Sequence, residues 1–219
     1  MTEEEFLAGS RNLHDMIWTL QQLLTDRKNR LFIAACCRRV WHLLPDGRSR
    51  HAIEVAERFA DGEIDDTLRE AAKRGAAAAM LEGKKDADGD DSWASRGMLV
   101  QLAVWNEMSI TSMMGIFNET EPGKNPTGQS TEKPFQAQLM HDIFGNPFRP
   151  VTFDPDWRTS TAVSLAKSMY DSRDFAAMPI LSDALQKAGC ENEDILNHCR
   201  SGGPHVKGCW VVDLVLGKE

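Results

Sequence analysis

Nowhere in this chain do apolar side chains alternate over the length of a strand; they recur at three- and four-residue intervals, interrupted by proline and glycine. That spacing lays an apolar stripe along an α-helix and leaves a sheet nothing to build from. Over 26–44, Ile33, Cys36, Cys37, Val40 and Leu44 share one side of such a helix, with Arg38 and His42 on the other. Pro45, Asp46 and Gly47 stop it. A second helix over about 48–60 groups Ile53, Ala56 and Ala60, so the two read as an antiparallel hairpin. Helix resumes over about 65–81, carried by the alanine run at 76–79. Further helices are predicted over 93–117, 134–144, 155–170, 179–188, 191–200 and 204–216. Pro155, Pro179 and Pro204 occupy first-turn positions, while Gly189 and Gly217 stand just past helix ends. The fold class is therefore all-α: a multi-helix bundle or array with an N-terminal hairpin and long surface loops.

Two stretches punctuate the pattern. Residues 83–91, GKKDADGDD, hold no apolar side chain larger than alanine and cannot bury enough surface to offset the entropy of ordering them. Residues 118–133 contain Pro122, Gly123, Pro126 and Gly128. The organisation expected is an N-terminal helical region, 1–82, a variable middle of loop, helix and loop, 83–133, and a C-terminal helical region, 134–219. All three could also form one domain, since 219 residues fit either arrangement.

Bulk properties narrow the function classes. A formal charge of −8 weighs against nonspecific association with nucleic acid or an anionic membrane. No apolar run approaches the roughly 18 residues of a membrane span, and Met1 to Leu7 carries three glutamates where a secretory signal would carry lysine or arginine. Five cysteines, an odd number with Cys36 and Cys37 adjacent, do not form the even framework of a secreted disulfide scaffold. Reduced thiols and a cytoplasmic location are expected.

The last thirty residues hold the densest chemistry. Cys190, His198, Cys199, His205 and Cys209 fall within twenty positions. If Pro204 opens the last helix, His205 and Cys209 project from one face four residues apart, a sound arrangement for two ligands on one metal ion. Cys190, His198, His205 and Cys209 would then give zinc a tetrahedral set of nitrogen and sulfur, with Cys199 as the alternative ligand. The intervals of seven, six and three residues between them lack the short paired spacing of strong zinc motifs, so small core cysteines and helix-end histidines are the competing reading. A thiol nucleophile at Cys199 or Cys209 beside His205 lacks any recognisable oxyanion turn. His141 and Asp142 are helix neighbours pointing about 100° apart and form no dyad.

Charge is unevenly spread. Over 26–58 there are eight basic residues and four acidic ones, making the hairpin +4 and the remainder −12. Arg38, Arg39, Arg48 and Arg50, with Trp93 just after the acidic stretch, are the candidate partner-binding residues, fitted to an acidic protein. The alternative is that these arginines pair with acids of their own chain.

The segments DRKNRLFIAACCRRVWHLLPD, DIFGNPFRPVTFDPDW and AGCENEDILNHCRSGGPHVKGCWVVDLVLGKE closely resemble a bacterial family of planctomycete type. The resemblance covers roughly 1–62 and 135–219 and implies no activity, cofactor or catalytic residue. The residues themselves point away from an enzyme and toward a helical protein-interaction or regulatory module, with a zinc-binding domain, structural before hydrolytic, as the alternative.

Overall fold

The computed structural model describes residues 1–9, 13–86, 100–101, 103–104 and 132–218, and among them there are helices and turns but no strand. Chain contacts divide it into two compact units, Met1–Ala137 and Gln138–Glu219. The predicted 93–117 helix and 118–133 loop lie largely outside the described residues, as does Trp93.

The first unit contains α1 (Glu3–Leu7), α2 (Leu13–Leu20), α3 (Asp26–Arg39), α4 (Gly47–Ala60) and α5 (Asp66–Asp86). Their starts are written in short polar side chains. Thr2 and Glu5 form a capping box, Thr25 accepts from the Lys28 amide, and Asp46 accepts from the Arg48 amide. The predicted hairpin is α3 packed on α4, and α5 in turn packs on α4. Two boundaries differ from the sequence reading. The first hairpin helix ends at Arg39, followed by a 3-10 turn over Trp41–Leu43, and α5 runs on through Gly83 to Asp86. A lone glycine costs a helix only about 1 kcal/mol, which the strong helix formers before it outweigh.

The second unit is built from α6, which spans Glu132–Phe144 and includes the point of division, then α7 (Ser160–Ser172), α8 (Met178–Lys187), α9 (Glu193–Arg200) and α10 (Trp210–Leu216). α7 packs on α8, α8 on α9, α9 on α10, and α10 back on α7, so these four close a ring. Fifteen buried residues fill it, among them Met169, Leu181, Leu185, Ile195, Cys199, Val212 and Val215. Each large aliphatic there contributes about 1.5–3 kcal/mol by burial. Thr159 and Asn192 cap α7 and α9 through their side chains, and Gly217 closes α10 in the left-handed conformation expected of it.

Two predicted helix starts are corrected, the first because Pro155 opens only a 3-10 turn over Pro155–Trp157 and α7 starts at Ser160. The last helix begins at Trp210, not Pro204, because Gly208 takes φ +93°, which no helix can pass through, and Cys209 becomes the N-cap. Ser201 to Cys209 is thus a loop, and His205 and Cys209 do not share a helical face.

Candidate metal centre

The loop nevertheless gathers the two residues. Asp142, in the last turn of α6, is 97% buried, and its carboxylate is the meeting point. Its Oδ1 lies 2.8 Å from His205 Nδ1 and 3.2 Å from His198 Nε2, while Oδ2 accepts the Val206 amide at 2.9 Å. His198 Nε2 also lies 3.2 Å from Cys209 Sγ. Ligand-capable atoms of Asp142, His198, His205 and Cys209 all fall within 4.8 Å of one another, and this buried group could hold a metal ion.

Each side chain is positioned by a local feature of the fold. His198 stands in the last turn of α9, with Trp210 5.2 Å from its ring and His205 edge-on at 5.0 Å. Gly145 ends α6 with φ +71°, and a Cβ there would come within 3.3 Å of Trp210. Only glycine lets α6 stop against the indole and so bring Asp142 to His198. Val206 holds Asp142 Oδ2 and leaves Oδ1 directed at the two imidazoles.

Burial alone would raise the Asp142 carboxyl, but the hydrogen bonds of His198 and His205 outweigh it and hold the acid below its ordinary value. Burial, reinforced by the Asp142 charge, pushes the Cys209 thiol well above its ordinary value, while the amides of Val212 and Val211 act in the other direction. Burial drives Cys199 to about 12, with the neighbouring Cys190 adding to it. Such burial disfavours a free thiolate at either cysteine. At His198 the geometry is not that of a catalytic relay, which requires nucleophile and orienting acid on opposite ring nitrogens; here Cys209 and Asp142 meet the same one.

A neutral imidazole nitrogen carries one proton or none. With it, Nε2 of His198 serves Asp142 and offers the Cys209 S–H no acceptor; without it, Nε2 accepts from Cys209 and faces Asp142 lone pair to lone pair. His205 Nε2 is buried and has no hydrogen-bond partner among the described residues. A bound cation would satisfy several lone pairs that these protons cannot serve together.

Of the ligands expected from the sequence, His198, His205 and Cys209 come together. Cys190 and Cys199 are core residues outside the group, and Asp142 takes the fourth place. The sequence did carry a signal for Asp142: it interrupts the run Leu139, Met140, Ile143 and Phe144, all buried, so a carboxylate sits at a core position.

At the arginine hairpin the partners are local. Arg38 grips buried Glu57 through two bonds, 2.5 and 2.7 Å, and lies over Trp41. Arg39 lies over Phe135. Arg48 pairs with Asp46 and Glu82, and Arg50 donates to the Trp41 carbonyl. Arg38 and Arg48 thus pair with acids of the chain, whereas Arg39 and Arg50 meet a ring and a backbone carbonyl. Trp18, 60% exposed, is the most open of the described tryptophans. No helix of the described residues is long and apolar enough to cross a membrane.

No protein-family model, curated protein or solved structure matches this chain.

Proposed function

We propose that this protein is a non-enzymatic helical module whose C-terminal unit binds one zinc ion through Asp142, His198, His205 and Cys209. The observation carrying this reading is the convergence of Asp142 Oδ1 and Cys209 Sγ on a single ring nitrogen. Carboxylate, two imidazoles and one thiolate match the donor preferences of zinc, whose bonds of about 2.0–2.3 Å call for ligand separations slightly wider than the closest contacts here. Four protein ligands close the coordination shell and leave no position for an activated water, which favours a structural ion over a hydrolytic one. Five free cysteines suit a reducing, cytoplasmic setting. Binding must expel the Cys209 proton, so affinity rises with pH. The test is elemental analysis of protein purified without chelator, before and after Cys209→Ser. About one equivalent of zinc, lost in the variant, supports the reading; metal-free protein that takes up no added zinc removes it.

A further inference from the structure

The ligands are arranged so that zinc would join one loop to α6. His198 precedes the Ser201–Cys209 loop, His205 lies within it, Cys209 ends it, and Asp142 alone comes from elsewhere. We infer, resting on the zinc reading above, that the ion is a reversible clamp on this loop and not the element that folds the unit.

Two observations carry this. The ring of α7, α8, α9 and α10 encloses its own fifteen-residue core, and α7 and α9 have side-chain caps, so the unit has the internal support that metal-dependent finger peptides lack. The ligands are also held near one another before any ion arrives. Val206 is fixed to Asp142 Oδ2, Ser201 Oγ donates to the His198 carbonyl at 2.8 Å, and the Cys209 amide donates to the Val206 carbonyl at 2.9 Å. Removing the ion leaves those bonds and the core in place. Hydrogen bonds still tie the loop to Asp142; what disappears is the metal's additional cross-link among the four ligands, and with it part of the restraint on exposed Ser201, Gly202 and Gly203.

The loop carries its own reporters, because trypsin can cut after Arg200 and Lys207, at either side of His205. If those cuts require the clamp to open, bound ion protects them by roughly the ratio of free ion to Kd, about 100-fold at a hundredfold excess. The experiment compares the full chain loaded with zinc and the same chain after chelation, following both cuts together with far-ultraviolet circular dichroism. The clamp expects helix content preserved on chelation, a cooperative melt at lower temperature, and accelerated cutting at Arg200 and Lys207 alone. Cys209→Ser should lose the protection without chelator. Collapse of helix with cutting throughout 138–219 would overturn it in favour of obligate folding by metal, as would unchanged cutting while one equivalent of zinc is demonstrably bound. A chain that binds no zinc defeats the zinc reading itself, and the clamp with it.

Discussion

The two units handle their buried charged groups differently. Among the described residues of Met1–Ala137 the buried charges meet a carboxylate, a ring or a carbonyl, while the buried Gln136 amide has no hydrogen-bond partner among them. Glu57 takes Arg38 in a fork, Asp61 takes Arg27 through two bonds, and the Arg30 and Arg69 guanidiniums lie over Phe59 while donating to the carbonyls of Ala103 and Val104. These pairings close with the protons at hand. In Gln138–Glu219 the cluster of Asp142, His198, His205 and Cys209 is a knot of lone pairs that protons satisfy only in part. Completed pairing indicates architecture, whereas a convergence that a cation would complete indicates a site.

The largest expected effect separates the two. Cys209→Ser should weaken zinc binding about 1,000-fold, roughly 4 kcal/mol, because it removes a ligand and not merely the outer partner whose loss costs 10- to 100-fold. Zinc competition titration measures it, and an unchanged affinity would place the ion elsewhere. In the first unit, Glu57→Ala should cost about 3 kcal/mol by stranding Arg38 in a largely buried position, while leaving zinc affinity alone. Chemical denaturation with a parallel zinc titration tests both halves; a loss below 0.5 kcal/mol would show that the fork is not sustaining the hairpin.

Acid sharpens the contrast in the metal-free protein. Asp142 has a folded-state pKa below its ordinary 3.8, so the stability it lends is fully present above about pH 4 and is lost as pH falls through the folded value. Asp142→Asn should therefore be less stable near neutrality yet change less between pH 5 and 2. Parallel curves for the two proteins would mean that the carboxylate is not held ionised by its histidines. The smallest effect belongs to Arg48, whose partners Asp46 and Glu82 are both solvent-accessible. Arg48→Glu should leave the melting temperature almost unchanged. Arg38→Glu should not, and equal effects from the two reversals would erase the distinction between buried fork and surface pair.

Much of the fold was legible because its punctuation is local. Pro179 in the first turn of α8 and Gly189 and Gly217 after helix ends each act on the backbone beside them. The start of the last helix was misread because Pro204 is a permissible first-turn residue, and only the left-handed conformation of Gly208 shows that the chain turns once more. The site was three-quarters visible. His198, His205 and Cys209 are close in sequence, but Asp142 lies more than fifty positions upstream, and nothing in a helical period says which distant core carboxylate a loop will meet. Cys190 was drawn in by proximity along the chain, yet its thiol belongs to the core beneath α8 and α9.

Cobalt substitution examines the coordination most directly, because tetrahedral cobalt(II) absorbs strongly in the visible and a bound thiolate adds a sulfur-to-metal charge-transfer band. One equivalent of cobalt should give both features. Cys209→Ser should lose the charge-transfer band, Asp142→Asn should retain it at weaker affinity, and Cys190→Ser should leave the spectrum unchanged. A weak octahedral spectrum, or a charge-transfer band that survives Cys209→Ser and vanishes with Cys190→Ser, would contradict the four-ligand centre.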